Sequence, residues 1–220
     1  MKIEANSKLV MIGDSITDCG RAQPIGEGLF EAHGKGYVAY VAGLLTATYP
    51  ERRIRVVNMG TSGNTVRDLR ARWQRDVIDL HPDWLSIMIG INDVWRQYDS
   101  PLQPEIQVDI EEYERTLDEL ISLSKPHLRG LVLMSPYFIE PNPADAMRAT
   151  MDRYGAVVQH LARKHACIFV DTQAAFLKVL RHCHPAALAW DRVHPNTAGH
   201  MVIGQAFLNA IEFKWSGESN

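Results

Sequence analysis

Lys8-Leu9-Val10-Met11-Ile12-Gly13-Asp14-Ser15-Ile16-Thr17-Asp18 decides the fold. A short apolar run with β-branched residues, followed at once by a glycine, reads as a buried strand that stops abruptly. Ser15 then falls just past the strand's carboxyl end, where open α/β sheets place their ligands. Gly13 is expected to let the backbone turn without a Cβ clash and to leave the approach to Ser15 open. Taken alone, Gly-Asp-Ser is equally an ordinary turn, since all three residues favour turns. Asp14 and Asp18 are expected to stabilise it by accepting from backbone N–H groups.

Outward from this strand the same unit recurs. A polar, Gly-rich loop over 19–35 gives way to a helix over 36–49 that stops at Pro50. A strand over 53–58 precedes a helix over 65–80, with Val66, Leu69, Trp73, Val77 and Leu80 on one face. The run Trp84-Leu85-Ser86-Ile87-Met88-Ile89, within a strand over 82–90, is apolar at nearly every position, as in a central strand covered on both faces. A loop carrying Trp95 and Tyr98 leads to a helix over 104–124, and a fourth strand spans 130–135. A helix over 144–165, a short strand over 167–171, a helix over 172–182 and a last helix over 196–213 complete the chain. Strands alternating with helices predict a parallel, doubly wound sheet with helices on both faces.

The 220 residues are 46% hydrophobic and 22% charged, which suits one globular domain over 1–220 with a single core. A net charge of −3 gives no reason to expect nucleic acid or an anionic membrane as partner. The first residues, Met1-Lys2-Ile3-Glu4-Ala5-Asn6, lack the apolar region and cleavage site of a secretory leader, and no apolar run approaches membrane-spanning length. Three cysteines without a C-x-x-C pair suit reduced thiols, so a soluble cytoplasmic protein is expected.

Each strand leads into an unusual polar cluster. These are Gly13-Asp14-Ser15, then Asn58 to Thr65, then Gly90-Ile91-Asn92-Asp93, and near the C-terminus Asp191-Arg192-Val193-His194-Pro195. In a parallel sheet the carboxyl ends share one edge, so these segments can converge. Together they supply what acyl transfer needs: Ser15 as nucleophile, His194 as its base, and Asp191 to orient the imidazole. Pro195 stiffens the exit from this loop and can begin the last helix. The backbone N–H groups of Ser15 and Gly63 and the Asn92 amide can serve as donors to an oxyanion. Ser62 is a rival nucleophile, but no G-x-S-x-G elbow surrounds it.

The four clusters, in this order, resemble the SGNH (GDSL-type) hydrolases, serine esterases and lipases with a flavodoxin-like fold. The resemblance implies a three-layer α/β/α domain with a five-stranded parallel sheet. It implies functional roles for Ser15, Gly63, Asn92, Asp191 and His194. Gly63 is preferred to Gly60 because the family's donor glycine sits in a Ser-Gly-x-Thr segment, here Ser62-Gly63-Asn64-Thr65. More closely, the stretches 13–21, 86–98 and 186–200 are similar to intracellular acetyl-xylooligosaccharide esterases of Gram-positive bacteria. That similarity implies removal of acetyl groups from short xylan fragments, and a homo-oligomer, an octamer in the nearest relatives.

Trp95, Tyr98 and Trp190 either form a platform for sugar rings or pack the loops around the site. Arg96 either binds substrate hydroxyls or is a solvated charge, and Trp215 either packs on the last helix or contacts another subunit. His182, Cys183 and His184 have no further ligands at metal spacing, so neither metal nor cofactor is expected. The Gly-rich loop fits neither nucleotide-binding pattern. Two competing functions remain: a lysophospholipase or thioesterase with the same catalytic residues, and a catalytically dead carbohydrate-binding protein.

Overall fold

In the computed structural model, which describes residues 1–215, the apolar runs form five parallel strands. They are β1 (Lys8–Gly13), β2 (Arg55–Gly60), β3 (Trp84–Met88), β4 (Gly130–Met134) and β5 (Ile168–Val170). Their order in the sheet is β2-β1-β3-β4-β5. Chain direction therefore reverses its sideways progress between β1 and β3, whose registers pair Leu9 with Trp84 and Gly13 with Met88. The crevice at such a switch point is where doubly wound sheets bind their ligands. Every residue of β3 is buried, as its unbroken hydrophobicity requires.

The helices are α1 (Ser15–Asp18), α2 (Tyr37–Thr48), α3 (Val66–Trp73), α4 (Ile91–Asp99), α5 (Ile110–Ser124), α6 (Ala146–Lys164), α7 (Thr172–Leu180) and α8 (Thr197–Ala210). α8 packs against α2 and α7, and α5 against α3 and α6, the two groups that right-handed crossovers would put on opposite faces of the sheet. Several helices begin on a side-chain cap. Asp109, Asp145, Asp171 and Asn196 each accept the N–H three residues on, at 2.7–3.1 Å. Each such cap stabilises its helix by about 1 kcal/mol. No helix among the described residues is long and apolar enough to cross a membrane.

Four local expectations are corrected. The segment with Trp95 and Tyr98 is not a loop but α4, which starts after Gly90 at φ +127°. Its apolar face (Ile91, Val94) also buries Asn92 and Asp93, and polar residues on a core face hide helical periodicity from a sequence reading. The helix expected over 65–80 is α3 followed by a π-turn over Gln74–Ile78. The one expected over 104–124 opens with a separate 3-10 turn at Pro104–Ile106 before α5. Pro195 does not begin the last helix: Asn196 is its N-cap, so the proline lies one position outside.

Candidate active site

Ser15 is the first residue of α1. Asp14 is the cap, its Oδ1 accepting the Ile16 N–H at 3.0 Å. The reason for Gly13 differs from the expected one. A Cβ there would lie 2.3 Å from both Met88 O and Thr17 Oγ1, so glycine is needed for close approach rather than for turning. The serine is thereby held at the carboxyl end of β1, beside β3.

His194 reaches the same point from the opposite end of the sequence. Its Nε2 is 3.0 Å from Ser15 Oγ, and its Nδ1 is 2.6 Å from Asp191 Oδ2. Asp191 Oδ1 also accepts the N–H groups of Val193 at 2.9 Å and His194 at 2.8 Å. Burial alone would raise the Asp191 carboxyl. The His194 ring bond and these two backbone donors outweigh it and hold the pKa below the ordinary carboxylate value. The tight turn needs Arg192 at φ +62°.

A strap over 137–140 fixes this loop from outside. Ile139 N–H donates to Arg192 O at 2.9 Å, Tyr137 Oη to Val193 O at 3.2 Å, and Arg192 pairs with Glu140 at 2.5 Å. Asn196 closes the loop from below, its Nδ2 donating to Ala187 O. The loop is thus held by the strap and by Asn196, while the half-exposed imidazole takes its orientation from Asp191.

The second and third clusters are stitched together and to the first. Asn92 is buried, and its Nδ2 donates to Asn64 O at 2.9 Å. A primary amide carries two N–H groups, so one is left for a ligand. Asp93 Oδ1 accepts the Val66 N–H at 3.0 Å, while its Oδ2 is buried with no partner among the described residues. Asp18 Oδ2 accepts both the Ser62 N–H and hydroxyl, at 3.1 and 2.8 Å. The Ser62 hydroxyl is therefore turned to a carboxylate and not to an imidazole. Gly63, at φ +81° with open space around it, needs glycine for conformation.

Trp95 packs its ring 5.7 Å from the His194 ring, and the Arg96 guanidinium lies 5.5 Å from the Trp95 ring while pairing with Asp99. Trp190 is 91% exposed. The Tyr98 hydroxyl bridges to α6 through Ala146 O and Thr150 Oγ1, so this side chain joins two helices. Trp215 packs edge-on against Phe213, ring centroids 5.0 Å apart, and donates to Asn209. Cys183 Sγ and His184 Nδ1 are taken up by local backbone groups.

His200 stands behind the site. Burial first, and then the nearby His194, lower its pKa to about 4. The Tyr37 N–H donates to Nδ1, which places the ring proton on Nε2, 3.3 Å from Cys19 Sγ. A neutral imidazole there adds no charge beside the base.

Sequence reasoning passes over three residues that build this geometry, Arg72, Glu140 and His200, and assigns no role to Asn58 beyond opening the second polar cluster. Asn58 is fully buried and donates to Thr17 O at 2.7 Å and His33 O at 2.8 Å, holding α1 and the Gly-rich loop onto β2. A lone polar residue inside an otherwise apolar strand was the available signal. A cavity of about 300 Å³ between α6 and α7, lined by Arg148, Asp152 and Gln173, contains none of Ser15, Asp191 and His194.

A hydroxyl, an imidazole and a carboxylate in this series can carry a proton off the hydroxyl and return it to a leaving group. Comparison with known proteins agrees. The GDSL-like lipase/acylhydrolase family model matches residues 11–202. An acetylxylan esterase of Geobacillus stearothermophilus is 62% identical over 215 residues, 98% of each chain. The crystal structure of Axe2, an acetylxylan esterase from that organism, has a TM-score of 0.98 at 61% identity, covering 100% of each chain. A catalytic mutant of Axe2, S15A, matches with a TM-score of 0.98 at 60% identity, again over 100% of both chains.

Proposed function

The chain belongs to the GDSL-like lipase/acylhydrolase family, and we propose that it removes acetyl groups from short acetylated xylo-oligosaccharides through an acyl-enzyme on Ser15. It is a carboxylic ester hydrolase. The observation that carries the mechanism is the unbroken series from Ser15 Oγ through His194 to Asp191, at 3.0 and 2.6 Å. Similarity over nearly the whole chain to an acetylxylan esterase supports the substrate class.

In this reading His194 Nε2 takes the Ser15 proton as Oγ attacks the acetyl carbonyl. Asp191 stabilises the imidazolium through Nδ1–H. Ser15 N–H, Gly63 N–H and the free Asn92 N–H hold the tetrahedral oxyanion. The C–O bond to the sugar breaks, and the imidazolium gives its proton to the departing sugar oxygen. Water, deprotonated by the same Nε2, attacks the acetyl-serine, and acetate leaves as Ser15 regains its proton. The sugar rests against Trp95 and Trp190, with Tyr98 and Arg96 at the edge. No cofactor takes part.

The protein acts as a homo-oligomer in this account, with the octamer implied by its resemblance as the size to test by light scattering. Leu29, Phe30 and Leu102, each at least 80% exposed, are apolar side chains that a subunit interface would cover. The free thiols of Cys19, Cys167 and Cys183 suit a reducing cytoplasm.

A series of esters tests the substrate class. Acetylated xylo-oligosaccharides should give a higher kcat/KM than an aryl acetate, and activity should fall steadily from acetate to octanoate. A maximum at octanoate would make the protein a lipase or thioesterase; oligosaccharide binding without hydrolysis of any ester would make it a binding protein.

A further inference from the structure

Arg72, on α3, spans three parts of the catalytic edge at once. Its Nη2 donates to Gly13 O at 2.9 Å, one Nη1 bond goes to Met59 O at 2.7 Å, and Nε donates to the Asn64 side-chain oxygen at 2.7 Å. Asp76, four residues on, accepts from Nη1 at 2.8 Å and fixes the guanidinium plane. The Arg72 side chain is only 9% exposed. Gly13 precedes the Asp14-Ser15 pair, Met59 lies near the end of β2, and Asn64 is the residue between Gly63 and Thr65. Among the described residues, no other side chain joins β1, β2 and the Gly63–Asn64 turn by hydrogen bonds.

We propose that Arg72 is a positioning residue for the oxyanion site: its guanidinium locks the Gly63–Asn64 turn at a set distance from Ser15. The inference rests on Gly63 and Asn92 serving as oxyanion donors. Asn64 is the shared element, because its side chain accepts from Arg72 while its carbonyl accepts from Asn92 Nδ2. A shift of this residue therefore moves the Gly63 N–H and the Asn92 amide together. Arginine donates here from three nitrogens spread across one rigid plane, whereas lysine would have to place all its N–H donors on a single nitrogen.

Stability gives a weaker account of this arginine. Buried ion pairs contribute little net stabilisation once their desolvation is counted. Moreover, Asp76 keeps a second partner when Arg72 is removed, since Arg75 donates to both of its oxygens at 2.6 and 3.0 Å. Asp76 has a substitute for the charge, and Gly13 O also accepts the Thr61 N–H at 3.0 Å, but among the described residues Asn64 Oδ1 has no donor other than Arg72.

The test compares Arg72→Lys, Arg72→Met and Asn64→Ala with wild type. Active sites are counted by titration with a fluorophosphonate, so that kcat refers to competent sites alone. Losing one oxyanion donor costs about a hundred- to a thousandfold in kcat. A displaced pair of donors should therefore lower kcat per site by about tenfold or more in Arg72→Met, with KM changed less than about threefold.

Arg72→Lys should fail to restore the rate. Asn64→Ala, which removes only the acceptor and leaves the buried arginine in place, should reproduce part of the loss and add nothing to Arg72→Met. Unchanged kcat per titrated site in all three variants, or a loss confined to site number and Tm, would overturn the positioning role. Asn92→Ala is run alongside. If it also leaves kcat intact, the oxyanion assignment itself is wrong; if it lowers kcat while the Arg72 variants do not, only the present inference falls.

Discussion

Asp191 and His194 are joined twice, ring to carboxylate at 2.6 Å and backbone N–H to the other carboxylate oxygen at 2.8 Å. One carboxylate therefore sets both the orientation of the imidazole and the fold of the loop that carries it. Asp191→Asn separates the two duties. An asparagine oxygen can still cap the backbone N–H groups, but its NH₂ faces Nδ1 and favours the wrong tautomer. We expect kcat to fall by about a thousandfold or more while Tm stays within a few degrees. Asp191→Ala loses the loop cap as well and should show a lower Tm. Equal Tm for the two variants would show that the carboxylate has no structural duty.

Gly60 and Gly63 are three positions apart and needed for different reasons. A Cβ on Gly60 would meet backbone, 2.1 Å from Asp18 N, so β2 and α1 must separate. Gly60→Ala should cost about 1–3 kcal/mol of stability, seen as an earlier denaturant midpoint. Gly63 has open space but sits at φ +81°. Gly63→Ala should cost about 1 kcal/mol, yet lower kcat by about tenfold or more as the peptide rotates to relieve strain. A stable, fully active Gly63→Ala would remove Gly63 from the oxyanion site.

Asp14 and Asp93 lie fully buried under the catalytic edge, and burial pushes each carboxyl up to about 7. The ordinary carboxylate value is about 3.9. Between these values the folded protein keeps protons that the unfolded chain has released. The stability contributed by the neutral carboxyls is thus complete at low pH and lost as pH rises through about 7. Carboxyls held low, such as Asp191 and Asp118, act in the opposite sense, in the acid range below the ordinary value. Asp93→Asn keeps an acceptor for Val66 N–H and cannot ionise. It should narrow the drop in Tm between about pH 5 and about pH 8, as measured by thermal denaturation. An unchanged drop would show that Asp93 does not titrate in this window.

The apolar runs of β1 and β3 and the polar clusters after the strands were enough to read the parallel sheet and to bring Ser15, Asp191 and His194 to one edge. Strand hydrophobicity and sheet topology carry that much. The helix holding Trp95 was hidden because Asn92 and Asp93 occupy its buried face. Arg72 was hidden differently: on α3 it reads as one more charge on a polar face, and nothing local reveals that its acceptors come from β1, β2 and the turn at Asn64. The role of Gly13 was legible as a need for glycine but not as a contact with Met88, since that contact depends on strand pairing. Long-range hydrogen bonds of polar side chains have no signature in periodicity.

The most direct measurement is acetate release per active site from acetylated xylo-oligosaccharides by wild type and Ser15→Ala, followed by mass spectrometry of the sugars. The account predicts stepwise loss of acetyl groups by wild type and, in the variant, a rate lower by about four orders of magnitude or more. A Ser15→Ala protein that still deacetylates these sugars within about tenfold of wild type would contradict it, and would move the nucleophile away from Ser15.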